Sequence, residues 1–465
     1  MSIARRLIGS FGATILGPAV TILIQIINVP VMLRIWGPQL YGEWLMLSAI
    51  PTYLLLSDLG FGNVAGSDMT MRVHAGDRDG ALETFQSTIA LVGASTVILA
   101  AVLGLLFFLV PLHRLLHLTA LSPAETQWTF FLLSINCLVM LQWSVLMAGY
   151  RSTGRYALGM LSTNCIRIIE GAGFLLIVLR RTRPEGLAAF MLLISVVGTL
   201  WLALLHHYKA PWLPLGLRAA RRTRIRELAR PAFAFLAFPT CAAISTQGMT
   251  LVAGLVLGPI AVAVFNPMRT LSRIALQLTD AIKNSVWPEL SAAFGRNDLA
   301  LARRLHRSAF QASLVLAGAA ILVLALTGPR LFQFWTHGRV TFDLGTFHLL
   351  LLAVFANSIW NSSSSVSMSA NRHERMSIYY LAFSLGSLAI AVLLSRAIGL
   401  RGVALGMLFA DAGMALVVVR LSNQILGESF SQFLRGCVDL HELKAVLARV
   451  RHKGHAEQSI EIPSP

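Results

Sequence analysis

Apolar residues run along this chain in long blocks that are almost free of charge. Leu7 to Leu33, Thr84 to Leu112 and Pro231 to Met268 contain no Asp, Glu, Lys or Arg. A bilayer core of roughly 30 Å is crossed by about 20 apolar helical residues, so each block is long enough to span, the last more than once. Apolar length, flanking charge and Gly/Pro punctuation predict spans near 9-33, 41-65, 85-111, 127-150, 157-179 and 186-207. A second set is predicted near 231-256, 260-288, 309-328, 345-368, 376-395 and 402-425. The apolar run after Arg5 and Arg6 is too long for a cleaved signal peptide and reads as the first helix. The expected fold class is an all-α polytopic membrane protein of about twelve transmembrane helices.

An even number of spans puts both termini on one side, and the basic residues say which. Arg5, Arg6, Arg72, Arg78, Arg151, Arg155, the segment Lys209 to Arg230, Arg296, Arg303, Arg304, Arg307, Arg372, Arg375 and a basic tail share that side. Opposite loops hold fewer, with Arg180, Arg181 and Arg183 the one awkward cluster. Lys and Arg concentrate in cytoplasmic loops, so the expected topology is N-in/C-in.

Composition agrees. Of 465 residues 56% are hydrophobic and 13% charged, against about 25% charged in soluble domains, and mean hydropathy is +0.69. The formal charge of +17 would suggest a nucleic-acid partner in a soluble protein. Here it falls where topology and anionic lipid require it, so no nucleic acid is expected. Cys137, Cys165, Cys241 and Cys437 are scattered, and neither a disulfide nor a metal is expected.

An internal repeat organises the chain. Trp36-Gly37-Pro38 recurs as Leu257-Gly258-Pro259, and Pro18 recurs as Pro239. The stretch Leu54 to Asp58 matches Leu276 to Asp280, and Gly76 to Leu82 (GDRDGAL) resembles Gly295 to Leu301 (GRNDLAL). The offset is near half the chain. This predicts two homologous six-helix bundles in the same orientation: 1-208, then a basic cytoplasmic linker 209-230, then 231-425, with 426-465 as a cytoplasmic tail.

Charges in mid-span cost a few kcal/mol each on insertion scales, so they mark a lined pathway or a buried pair. Arg269 and Arg273 stand four apart in the eighth predicted span, on one helical face, with Asp280 and Lys283 in the same sector. Arg167 and Glu170, three apart in the fifth span, could neutralise each other. Asp411 sits near the middle of the twelfth span. It is either the partner of a membrane arginine or a coupling-ion site. Asp58 reads first as a helix-end residue, with ion coupling as the alternative. Arg269, Arg273, Lys283 and Arg167 would stabilise an anionic group, phosphate above all, because guanidinium forks bind its oxygens bidentately. The alternative is that every arginine simply pairs with Asp411, Glu170, Asp58 or Asp280. Asn361 to Ser365 (NSSSS), in the tenth span, reads as helix packing before cavity lining.

Two sets of stretches carry a resemblance. One is Trp36-Gly-Pro-Gln-Leu-Tyr-Gly-Glu-Trp44 with Ser57-Asp-Leu-Gly-Phe-Gly-Asn63. The other is Leu257-Gly-Pro-Ile-Ala-Val-Ala-Val-Phe265 with Trp287-Pro-Glu-Leu-Ser291 and Gly295-Arg-Asn-Asp298. In their order they resemble the Wzx-type polysaccharide flippases of the multidrug/oligosaccharidyl-lipid/polysaccharide (MOP) exporter superfamily. The resemblance implies a MATE-like fold in the bacterial inner membrane. It also implies translocation of an undecaprenyl-diphosphate-linked oligosaccharide by alternating access, with membrane lipids, a polysaccharide polymerase and a chain-length regulator as partners. No cofactor is expected, and no phosphate-cradling Walker sequence is present.

A multidrug cation exporter of the same superfamily is the nearest rival, and would be expected to gather carboxylates and aromatics. A membrane polymerase or ligase needs a general acid and base held together over its substrate. The longest outer loops, near 112-126 and 329-344, hold only scattered His113, His117, Glu125, His337 and Asp343, so the chain is expected not to be an enzyme.

Overall fold

In lipid every backbone N–H and C=O must be satisfied within the segment, which leaves an apolar run little choice but helix. The computed structural model describes residues 20–21, 23–58 and 60–438, with all side chains except those of 230–237 and 278. No strand occurs among them. Residues 9-19 and 22 of the first predicted span, Pro18 among them, and the tail beyond 438 lie outside the described residues.

The first helices are α1 (Leu23–Ile35), α2 (Gly37–Ala49), a 3-10 segment (Pro51–Asp58) and α3 (Phe61–His74). Next come α4 (Arg78–Leu109), α5 (Pro123–Ser152), α6 (Tyr156–Leu179) and α7 (Pro184–Lys209). After a loop follow α8 (Arg222–Ala243), a π turn (Ile244–Gly248), α9 (Met249–Leu257), α10 (Pro259–Ser272) and α11 (Ile274–Gly295). The chain then runs through α12 (Leu299–Thr336), α13 (Leu344–Ser369), α14 (Glu374–Ile398), α15 (Leu400–Leu426) and the short amphipathic α16 (Phe430–Val438). Among the described residues ten helical stretches are long and apolar enough to cross a membrane.

Two predicted spans differ in detail. The second runs from Gly37 to His74 with a 3-10 middle, since Pro51 lacks the N–H that would continue α2. The eighth, 260-288, is two helices that meet at Arg273. Pro267 has already removed one ladder bond inside α10. The turn then tightens, Leu276 donating to the Arg273 carbonyl only three residues back.

The described residues fall into two compact units. The first takes those up to Asn266 together with Gln333–Thr341; the second takes Pro267–Phe332 and those from Phe342 on. In the first, α5 packs on α3, α4 and α7, burying Met69, Phe85, Leu138 and Leu141. Helices α8 and α9 belong to this unit: α9 lies on α2 so closely that Gly254 abuts the Met46 side chain. In the second, α13 packs against α11 and α15, and α14 against α15.

Local geometry repeats at one constant offset. Gly37 (φ +73°) precedes Pro38 and Gly258 (φ +91°) precedes Pro259, both in the left-handed region that glycine enters without steric cost. Asp77 accepts the Gly80 N–H at the start of α4, and Asp298 the Leu301 N–H at the start of α12. Ser122 caps α5 through Glu125 N–H, and Asp343 caps α13 through Thr346 N–H. This geometry pairs Gly76 (φ +82°) with Asn297 (φ +54°), two residues later than the letter match with Gly295 suggests.

The motif around Trp36 is scaffold. Trp36 Nε1 donates to the Thr182 carbonyl at 3.1 Å, and Gly42 lies directly against the Pro259 carbonyl. Glu43, fully buried, accepts the backbone N–H groups of Thr119 (2.8 Å), Ala120 (2.8 Å) and Leu121 (3.1 Å). The basic segment after α7 is held to α4. Gln86 accepts from Ala219 N–H at 2.7 Å and donates to the Pro214 carbonyl at 3.1 Å, while Arg78 lies over the Trp212 ring. Two arginines in the loops expected on the opposite side, Arg183 and, between the predicted spans 376-395 and 402-425, Arg401, have carboxylate partners, Glu125 and Asp343. That leaves less uncompensated positive charge there.

Candidate functional site

The second unit brings mid-helix charges together along one face of α13. Asn357, Trp360 and Asn361 fall three and four residues apart, one helical turn, and so share that face. From α15, Asp411 reaches it. Asn357 Nδ2 and Trp360 Nε1 both donate to Asp411 Oδ1, at 2.8 and 3.0 Å. The Trp360 indole packs against Tyr380 of α14, ring centroids 5.2 Å apart.

One turn along α13, about 6 Å by helical rise, Asn361 lies between two opposite charges of α11. Its Nδ2 donates to Asp280 Oδ1 at 2.7 Å, and its Oδ1 accepts from Lys283 Nζ at 2.9 Å. A single amide thus separates a carboxylate from an ammonium three residues away on the same helix. The direct pair is replaced by two charge-assisted hydrogen bonds. The following serines do something else. Ser362 to Ser365 are buried, and Ser422 Oγ donates to the Ser363 carbonyl at 2.8 Å. They pack α13 against α15.

Arg273, at the break between α10 and α11, is close enough for its charge to act on Asp411. Arg269, one turn earlier, feels Arg273 as a like charge. The break thus carries two arginines one turn apart, the second of them within electrostatic reach of Asp411. Among the described residues no direct ion pair joins Arg273 to Asp411 or Asp280 to Lys283.

The other predicted site residues lie in the first unit. Arg167 is exposed on α6 and Glu170 is half-buried, with no ion pair between them among the described residues. Asp58 ends the 3-10 segment, and its Oδ1 accepts the Gly60 N–H at 2.6 Å. This satisfies the backbone where Gly60 turns left-handed (φ +75°).

Sequence reasoning missed Asn357 and Trp360, and placed Asn361 with the packing serines. The signal was available: two asparagines four apart in an apolar helix mark a polar stripe.

No family model matches the sequence, and no curated protein matches it. Solved structures do. One is the inward-facing conformation of a multidrug resistance MATE family transporter of the MOP superfamily, with a TM-score of 0.71 at 16% identity, covering 87% of this chain and 94% of that one. An outward-facing conformation of a multidrug resistance MATE family transporter matches with a TM-score of 0.60 at 17% identity, covering 91% and 95%. A MOP superfamily transporter from Pyrococcus furiosus matches with a TM-score of 0.64 at 16% identity, covering 91% and 95%. The fold of this chain is that of the MATE transporters of the MOP superfamily.

Proposed function

We propose that the protein is an inner-membrane flippase, N-in/C-in, that moves an undecaprenyl-diphosphate-linked oligosaccharide to the opposite leaflet by alternating access for polysaccharide biosynthesis. The observation that carries the reading is the cationic break at Arg269 and Arg273, where α11, the helix that carries Lys283, begins. A diphosphate has oxygens for each of these donors, and guanidinium forks bind them bidentately. Hydroxyl-rich sugars suit the amides of Asn357 and Asn361, and the lipid tail stays in the bilayer. Arg167, on the surface of α6, is a further candidate contact.

Asp411 is the candidate for ion coupling, ahead of Asp280, Glu170 and Asp58. Its two neighbours present N–H groups to the carboxylate. Asn357 turns its N–H group, and not its carbonyl oxygen, to the carboxylate, and the coupling ion in this reading is a proton. A polymerase and a chain-length regulator are the expected partners.

A second reading, extrusion of organic cations, is favoured by one arrangement. Asp411 accepts from Trp360, whose ring packs at a tilt against that of Tyr380, a combination of carboxylate and aromatic rings that suits a cation. Pocket polarity differs among chains of this fold: for the Pyrococcus furiosus relative, reverse polarity of the binding pocket is reported to suggest a different function.

The test reconstitutes wild type, Arg269→Ala and Arg273→Ala at matched density and follows a fluorescent undecaprenyl-diphosphate oligosaccharide across proteoliposomes. The flippase reading expects flipping by wild type and a loss of at least tenfold in folded variants. Export of organic cations without flipping would replace it with the second reading.

A further inference from the structure

At one end of the second unit, where α13 stops and α14 and the last turns of α15 meet, lies an open cavity of about 480 Å³. That volume is within the roughly 300–1,000 Å³ of small-molecule sites. Arg372 and Arg375 line it; both are exposed, and neither has a carboxylate partner among the described residues. Three other arginines of this unit are each held by a partner of their own: Arg303 donates to the Leu426 carbonyl, Arg307 to Glu428 and Arg401 to Asp343. Glu374 also lines the cavity and opposes one of the two charges, leaving an excess positive charge.

The remaining lining is of two kinds. Asn371, held left-handed at φ +53°, and Gln424 offer amides, while Leu421 and Ile425 give an apolar wall on α15. The N-terminus of α14 opens here without a side-chain cap. Its aligned peptide dipoles add positive potential at the arginines. Cationic forks, amide donors and an apolar wall at the end of membrane helices match a phosphate attached to a lipid.

We propose that this cavity binds the phosphodiester headgroup of an anionic phospholipid, with Arg372 and Arg375 on the phosphate oxygens and the upper acyl chain along Leu421 and Ile425. A soluble phosphate would use the same cationic groups but leave the apolar wall unused. Anionic lipid is enriched on the cytoplasmic leaflet and attracts basic residues beside it. The binding site depends on the membrane fold alone and is independent of which substrate is carried.

The experiment uses the full chain, delipidated in a neutral detergent, with binding followed by native mass spectrometry and by thermal unfolding. Phosphatidylglycerol, phosphatidylcholine and inorganic phosphate are titrated separately against wild type, Arg372→Gln/Arg375→Gln and Arg372→Lys/Arg375→Lys. Each lost arginine is expected to weaken binding about fivefold, so the glutamine pair should bind phosphatidylglycerol about 25-fold more weakly. The lysine pair, which keeps the charge and tests the site if the glutamine pair fails to fold, should lose less than fivefold. Phosphatidylcholine and inorganic phosphate should leave the melting temperature where it is. Equal binding of phosphatidylglycerol by wild type and a folded glutamine pair would overturn the proposal. So would a 25-fold loss in the lysine pair, equal binding of phosphatidylcholine, or a response to inorganic phosphate matching that to lipid. None of these readouts involves flipping, so failure here and failure of the flippase reading are separable.

Discussion

Trp360 Nε1 donates to Asp411 Oδ1 at 3.0 Å, which makes an intrinsic fluorophore report on a mid-helix carboxylate. A proton arriving at Asp411 weakens that bond and changes the polarity around the indole. The chain has nine tryptophans, so the Trp360 signal is taken as the difference between wild type and Trp360→Phe. The difference emission is expected to follow pH, to be insensitive to sodium, and to lose its pH response in Asp411→Asn. A sodium-dependent, pH-independent signal would sink the proton assignment.

Asn361 separates Asp280 from Lys283. Asn361→Leu keeps the approximate volume and removes both hydrogen bonds to charged groups, each worth roughly 1.5–3 kcal/mol. The expected outcome is a lower melting temperature and at least a tenfold loss of transport. Asn361→Gln, which restores the amide, should recover part of both. Unchanged transport in Asn361→Leu would show that this amide bridge is dispensable.

The Arg401 guanidinium, opposed by partial burial and helped by Thr346, holds the Asp343 carboxyl down at about 2, below its ordinary 3.8. A carboxyl depressed in the folded state favours folding above its ordinary value and loses that contribution as pH falls through the folded one. Asp343→Asn is therefore expected to be less stable than wild type at pH 6, with the gap closing between about pH 4 and pH 2. Melting temperature against pH measures it; a gap that persists at pH 2 would mean that the helix cap, and not the charge, sets the effect.

Glu43 is fully buried and accepts three consecutive backbone N–H groups from residues 119–121. In Glu43→Gln one oxygen becomes an amide donor that faces those donors, at a cost of about 1–3 kcal/mol for the unsatisfied groups. The variant should unfold at lower temperature, with amide hydrogen exchange at Thr119 to Leu121 accelerated first. Protection unchanged at those three amides would refute the clamp.

The sequence by itself determined the helices. Apolar length without charge admits little else in lipid, and the predicted spans near 127-150, 157-179, 345-368 and 402-425 match α5, α6, α13 and α15 to within a few residues. It also contained the repeat, because glycine at a left-handed turn and Asp or Ser at a cap are local requirements that leave a letter in place. What only the tertiary structure decided was which polar residues meet. Arg269, Arg273, Asp280 and Lys283 occur close together in the chain and were legible as a group. Asp411 was visible only as an isolated carboxylate, and Asn361 only as part of a run with serines. Their roles come from the packing of α13 against α11 and α15. That packing aims one asparagine at an ion on each neighbouring helix, and no local propensity encodes which face of α13 is turned to which partner. Asp58 illustrates the converse: a mid-span charge by hydropathy, it is tied to a local turn because the helix has already loosened at Pro51.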